Sequence, residues 1–195
     1  SIDIPFTWNE TQYTLIDTAG IRRKNSEHEV VDKFAYMRTQ RAIERCDICI
    51  LFLDASQGFT TQDKKIANLI EKSGKGCILA FNKWDLVKGF RMEHCIKSVR
   101  DECPFMNYCP SFFLSAKTGR NFDKLFPIIE EVHANMSKRI TTGQLNTFVE
   151  KAVQACHAPM ITGKRLRIYY LTQVGTTPPR FIFFINNPAL ITEAY

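Results

Sequence analysis

The sequence has no apolar run long enough to cross a membrane, since nowhere do eighteen apolar residues follow one another. Its first ten residues lack a basic stretch followed by an apolar one, so no secretion signal is read there. A second cysteine pair is missing as well. Seven cysteines occur, an odd number at irregular spacing. Cys46 and Cys49 form a lone C-x-x-C, and Cys103 and Cys109 stand too far apart to complete a zinc set. Without that context, C-x-x-C is weak ground for a metal or redox role. Cys49 and Cys77 sit inside apolar runs, which fits reduced, buried thiols and a cytoplasmic protein. His28, His94, His133 and His157 share no ligand spacing and receive no catalytic role. Repeats and low-complexity tracts are absent too. With 45% hydrophobic and 24% charged residues, the composition excludes disordered and collagen-like classes.

What is present begins with uneven charge. The formal net charge is +6. From Met136 onward there are seven basic residues against Glu150 and Glu193, a balance of +5; the preceding 135 residues hold 19 basic and 18 acidic residues, a balance of +1. The C-terminal third is therefore the part able to attract phosphate backbones, although a merely solvated basic surface has the same composition. A length of 195 residues suits one medium domain plus part of another.

Apolar periodicity predicts a hairpin around Asn9-Glu10-Thr11, with Gln12 to Ile16 as its second strand. It predicts a helix over Val30–Arg45 and a buried strand over Asp47–Asp54. A helix over Thr60–Lys72, capped by Thr61, precedes a buried strand over Gly76–Asn82. Then come a helix over Met92–Glu102, a strand over Pro110–Leu114 and a long helix over Asn121–Arg139. Buried strands alternating with amphipathic helices define a doubly wound α/β domain, residues 1–140. The pattern then changes. A helix over Thr142–Cys156, capped by Thr141 or Thr142, is followed by strands over Arg165–Gln173 and Arg180–Ile185 with no helix between them. Pro188-Ala189-Leu190 reads as the start of another helix. Residues 141–195 are thus read as a partial α+β module with a thin core.

Three short motifs fall where strands of the first domain end, the place where open α/β sheets bind ligands. Asp17-Thr18-Ala19-Gly20 offers a carboxylate for a hydrated Mg²⁺ and a glycine whose N–H can approach a phosphate. Asn82-Lys83-Trp84-Asp85 offers a carboxylate able to accept from the N1–H and 2-amino edge of guanine, an edge adenine lacks. The Lys83 stem can cover a purine face, and the Asn82 amide can brace neighbouring loops. Asp85 as the cap of a short turn is the plainer alternative. Ser115-Ala116-Lys117 offers the Ala116 N–H to guanine O6 and Lys117 to the other face of the base.

Taken together, in this order and at successive strand ends, the motifs resemble those of translation-factor-class GTPases, with a P-loop-NTPase-type doubly wound sheet. The narrower strings Asp17-Thr18-Ala19-Gly20-Ile21-Arg22-Arg23-Lys24, Asn82-Lys83-Trp84-Asp85-Leu86-Val87 and Gly163-Lys164-Arg165-Leu166-Arg167-Ile168-Tyr169-Tyr170, with Thr172-Gln173 and Pro178-Pro179, resemble the bacterial EngA/Der family. That resemblance runs along the whole chain. It implies most of a second GTPase domain followed by part of a KH-like domain. It implies GTP or GDP bound at Asp17, Thr18, Ala19, Gly20, Ile21, Asn82, Lys83, Trp84, Asp85, Ser115, Ala116 and Lys117, with Mg²⁺ at Asp17. The function implied is a GTP-hydrolysing switch in maturation of the large ribosomal subunit, with ribosomal RNA and proteins as partners.

The chain departs from a working GTPase in several places. No G-x-x-x-x-G-K-[ST] occurs: Gly74-Lys75 has Leu69 and Gly76 at the flanking positions, and Gly163-Lys164 has Ala158 and Arg165. The first strand and P-loop of the fold are therefore lacking from these 195 residues. Charge-assisted phosphate bonds contribute about 1.5–3 kcal/mol each, so this chain alone is expected neither to hold GTP tightly nor to hydrolyse it. Ile21 stands where many small GTPases carry a water-orienting Gln. The resemblance implies that a monovalent cation or a partner positions the water. No G-x-x-G occurs from Met136 onward, so RNA contact is assigned instead to Lys164, Arg165, Arg167 and Arg180. A binding module or pseudo-GTPase, with no nucleotide role in this chain, is the alternative reading.

Overall fold

A computed structural model describes residues 3–16, 29–87, 89, 92–161 and 163–192; the side chains of 29–35 lie outside that description. The chain divides into two compact units, 1–134 and 135–195.

The first unit begins with a hairpin of β1 (Asp3–Trp8) and β2 (Thr11–Ile16), antiparallel with Phe6 opposite Tyr13. Its two-residue turn, Asn9-Glu10, has φ of 45° and 64°. Two successive left-handed residues are what the right-handed strand twist requires of so short a connection. Residues 17–28 lie outside the described residues. Helix α1 (Glu29–Arg45) leads into β3 (Ile48–Asp54), α2 (Thr61–Ser73), β4 (Gly76–Asn82), α3 (Met92–Glu102), β5 (Ser111–Phe113) and α4 (Leu125–Ser137). Strands β3, β4 and β5 form a parallel sheet in that order. Parallel strands need crossovers, and the helices between them supply these.

The apolar run of β4 becomes a strand covered on both faces of the parallel sheet, and that of β3 pairs alongside it. One face buries Leu51, Leu53, Leu79 and Phe81 with Ala67, Ile70, Val99 and Met106. The other buries Ile78, Ala80, Phe112 and Leu114 against Leu125. The expectation of a buried β3 holds on the first face only. Phe52 on the other face is 47% exposed. The reason is topological: among the described residues β3 pairs with β4 alone, so its outer edge lacks a neighbour. The hairpin likewise pairs only with itself and rests on α4 through aromatic rings. Trp8 stacks on Phe126 at 4.2 Å, and Phe6 meets the same ring edge-on at 5.8 Å.

Several sequence expectations shift. The cap of α2 is Thr60, not Thr61, because Thr60 and Asp63 complete a reciprocal capping box. The long helix expected from Asn121 begins instead with a 3-10 turn at Phe122–Lys124, since Asn121 adopts φ 61°.

In the second unit, α5 (Thr142–Ala155) is capped by Thr141 with Gln144. Two short strands follow, β6 (Met160–Ile161) and β7 (Lys164–Arg165), which the sequence periodicity does not separate. The longer hairpin is β8 (Ile168–Thr176) and β9 (Pro179–Ile185). Leu145 and Val149 of α5 pack on Leu171. The helix expected at Pro188 is a single 3-10 turn, Pro188–Leu190, capped by Asn187.

Candidate functional site

The register of the parallel sheet builds the site. Asp54 pairs with Asn82 at the ends of β3 and β4, and Leu114-Ser115 follow the end of β5. The motifs at Asn82 and Ser115 therefore share one end of the sheet. Asp17, Thr18, Ala19, Gly20 and Ile21, the third set read from the sequence, lie outside the described residues, with Asp17 directly following β2. The role expected for Mg²⁺ at Asp17 thus has no described geometry.

Asn82 joins the two described motifs. Its Oδ1 accepts from the Lys83 N–H at 2.8 Å and from the Ala116 N–H at 2.9 Å. The bracing role read from the sequence is thus visible. The Ala116 N–H, read as a donor to guanine O6, points at Asn82 in this chain. Lys83 adopts φ 61°, which turns the chain sharply into the 3-10 turn Trp84–Leu86. Asp85 lies inside that turn and caps nothing; the capping position belongs to Lys83, with no side-chain bond. The Asp85 carboxylate is exposed, with no hydrogen bond or ion pair among the described residues. Trp84 differs in role. Its ring lies 4.5 Å from Phe113, which in turn stacks on Phe81 at 4.7 Å, so Trp84 pins the turn to the core.

Ser115 is fully buried, and its Oγ accepts from the Thr118 N–H at 3.3 Å. Its own N–H donates to Arg120 O, so residues 115–120 form a closed loop. Asn121 Nδ2 donates to Phe113 O at 2.8 Å and ties that loop back to β5. Lys117 is left exposed on the loop.

One residue of this end was missed in the sequence. The Asp54 carboxylate accepts from Lys83 Nζ at 2.6 Å, from Ser56 N at 3.0 Å and Oγ at 2.6 Å, and from Gln57 Nε2 at 3.0 Å. Burial raises its pKa, but the bonds from Lys83 and Ser56 outweigh that and hold it below the usual carboxylate range. The anion therefore fixes the Lys83 stem. An acid closing a buried strand, Leu53-Asp54, was the available signal.

The basic residues of the second unit do not form one group. Lys164, Arg165 and Arg167 share one short stretch, and Asn186 straps it down, donating to Arg165 O and accepting from Arg167 N. Arg180 pairs with Gly175, toward the turn of the β8–β9 hairpin, whereas Ile168 pairs with Ile185 at its open end. Ile168 and Gly175 lie seven positions apart, roughly 23 Å at strand rise. At the turn end lies Arg139 instead, whose guanidinium donates to Gln173 O at 3.2 Å. All four residues assigned to RNA are exposed. Among the described residues there is no group of three or more metal-ligating side chains, and no helix long and apolar enough to cross a membrane.

Residues 1–135 match the family model described as the elongation factor Tu GTP binding domain, which covers well over half of the chain. Residues 139–195 match the model described as the KH-domain-like of EngA bacterial GTPase enzymes, C-terminal. The fold and the strand-end motifs thus define a GTP-binding domain of the translation-factor class followed by a KH-like domain. Within that class the chain belongs to the EngA/Der family. It is 64% identical over 195 residues to a protein named GTPase Der from Protochlamydia amoebophila, matching all of this chain and 40% of that protein. It is 44% identical over 197 residues to a GTPase Der from Natranaerobius thermophilus, matching 45% of that protein. The chain therefore spans less than half the length of these relatives. Among solved structures it is similar to a point variant of Aquifex aeolicus Era bound to GDP.AlF4-, with TM-score 0.54 and 25% identity over 64% of this chain and 41% of that one. It also shares the fold of Era in complex with MgGDPNP and nucleotides 1506–1542 of 16S ribosomal RNA, with TM-score 0.57 and 24% identity over 67% of this chain and 43% of that one.

Proposed function

We propose that the ends of β4 and β5 form the base-recognition half of a guanine-nucleotide site. In the whole protein this site would serve a cytoplasmic GTP-hydrolysing switch in ribosome biogenesis. The observation that carries the reading is Asn82 Oδ1, which holds the Lys83–Asp85 turn and the Ser115–Lys117 loop at one fixed separation. On that turn the Asp85 carboxylate is exposed and available to accept from guanine N1–H and the 2-amino group. The stem of Lys83, held by Asp54, is assigned to one face of the base and the exposed Lys117 to the other. Guanine O6 would draw the Ala116 N–H away from Asn82 or share it.

Asp17, at the end of β2, is the residue we assign to the Mg²⁺ that accompanies the nucleotide. Ile21 has no group able to orient water, so the hydrolytic water is assigned to a monovalent cation or a partner. Phosphate contacts belong to a P-loop that these 195 residues lack. The chain by itself therefore binds GDP far more weakly than the whole protein does and does not turn over GTP. The KH-like unit, carrying most of the net positive charge, is assigned to ribosomal RNA.

The test is a specificity exchange in the whole protein. Xanthine carries a carbonyl where guanine carries the 2-amino group, so a site with Asn at position 85 can donate to it. Asp85→Asn should lose affinity for GDP and gain affinity for xanthosine diphosphate, measured by equilibrium fluorescence. Undiminished GDP binding by Asp85→Asn would reject the assignment.

A further inference from the structure

At the opposite end of the same sheet lies a line of thiols that the nucleotide site does not use. Cys46 follows the last residue of α1, with its N–H bonded to Ala42 O at 3.0 Å, and Cys49 is the second residue of β3. Their sulfurs are 3.3 Å apart. Cys49 is the register partner of Cys77 in β4, and Cys109, whose thiol donates to Met106 Sδ at 3.4 Å, neighbours Cys77. Cys46 alone of the four is half-exposed; Cys49, Cys77 and Cys109 are buried. The arrangement therefore has one thiol at the surface, a second in contact with it, and two more behind.

We propose that Cys46 and Cys49 form a reversible intramolecular disulfide in exchange with a small-molecule disulfide of the glutathione class. The step is conventional thiol–disulfide exchange. The Cys46 thiolate attacks one sulfur of glutathione disulfide, its S–S bond breaks, and one glutathione leaves as thiolate. Cys49, giving its proton to solvent, then attacks the Cys46 sulfur of the mixed disulfide and expels the second glutathione. Two protein thiols are oxidised to one disulfide, and one glutathione disulfide is reduced to two glutathiones.

The geometry suits each role. Cys46 is the sulfur a solvent-borne oxidant can reach. Cys49 needs to close its contact by only about 1.3 Å to reach a bond of roughly 2.05 Å. The charge environment agrees. The hydrogen bond from Cys49 brings the Cys46 thiol down to about 7 against the effect of burial, with the Lys75 ammonium pulling the same way and Asp47 opposing. The hydrogen bond with Cys46 and burial push Cys49 up, which marks it as the resolving rather than the attacking group. Five residues of β3 separate Cys49 from Asp54, roughly 16 Å, so the disulfide lies well clear of the base site.

Trypsin cuts after Arg45 and after Lys64, so both cysteines fall in the single peptide 46–64. The experiment equilibrates the chain in glutathione buffers of graded oxidised-to-reduced ratio, quenches with acid, alkylates, digests and weighs that peptide. The expected product is a peptide two hydrogens lighter than the reduced form, unalkylated, and restored by dithiothreitol. Cys46→Ser should abolish it. Because a neighbouring pair can also close in an unfolded chain, the same series in strong urea sets the reference. The preformed contact should make the native chain oxidise at a ratio lower by about tenfold. Alkylation of both thiols at every ratio would overturn the proposal. So would a persistent glutathione adduct on Cys46, a bond to Cys77, or a native midpoint no lower than that in urea.

Discussion

Asn82 Oδ1 serves two backbone amides at once, and the proposed base site depends on that sharing. Asn82→Ala would leave the Lys83 and Ala116 N–H groups at the surface, where water replaces the lost bonds. The fold should therefore survive with a small change in melting temperature, while GDP affinity of the whole protein drops by about tenfold, readable by titration calorimetry. Asp54 acts through Lys83. Because its folded pKa is lowered, the Asp54–Lys83 pair is fully formed above the ordinary carboxylate pKa and is lost as pH falls through the depressed folded value. Nucleotide affinity should thus be flat through neutral pH and fall in the acidic range, and Asp54→Asn should reduce that acid limb in a pH titration of binding, leaving the part due to Asp85. The motif at Asn82 was legible in the sequence because its chemistry is local. Asp54 was not, since only the β3–β4 register brings it beside Lys83. Trp84 reads in the sequence as a nucleotide contact, but the structure packs its ring on Phe113, and no local signal distinguishes the two.

Elements were more legible than their ends. The apolar runs at Ile48–Asp54 and Gly76–Asn82 and the helix over Met92–Glu102 follow the sequence periods closely, because their apolar residues feed the sheet core. Ends are set by single bonds. Thr60 rather than Thr61 caps α2 because Asp63 reaches back to the Thr60 N–H and Oγ. Thr60→Ala should cost about 1 kcal/mol and Thr61→Ala much less, a difference that paired thermal melts resolve. Asn9-Glu10 shows the converse, a turn that sequence alone placed approximately. Glu10 holds φ 64° at a position where glycine is relaxed. Glu10→Gly should raise hairpin stability modestly, by roughly 0.5–1 kcal/mol, and a fall in melting temperature would contradict the turn assignment. The exposure of Phe52 could not be read from its run. It depends on which strand lies along the outer edge of β3, and that is a property of topology.

At the scale of the whole molecule, the two units divide the chemistry. The first carries the proposed base site and nearly balanced charge; the second carries the basic excess. The separation of Arg180 from Lys164, Arg165 and Arg167 by most of a hairpin makes two basic ends instead of one patch. Replacing Lys164, Arg165 and Arg167 together with Glu should weaken ribosomal RNA binding and flatten its salt dependence by about three phosphate contacts, whereas Arg180→Glu alone should remove about one. Mobility-shift titrations at several salt concentrations measure both slopes.

The ends of β4 and β5 are proposed to recognise guanine itself, whatever the phosphates contribute. The most direct test adds guanosine and adenosine, which have no phosphates, to this chain and follows backbone amide NMR shifts. Weak, saturable shifts confined to residues 82–85 and 115–117 are expected with guanosine, absent with adenosine and absent in Asp85→Ala. Equal responses to both nucleosides, or shifts that ignore Asp85, would contradict it.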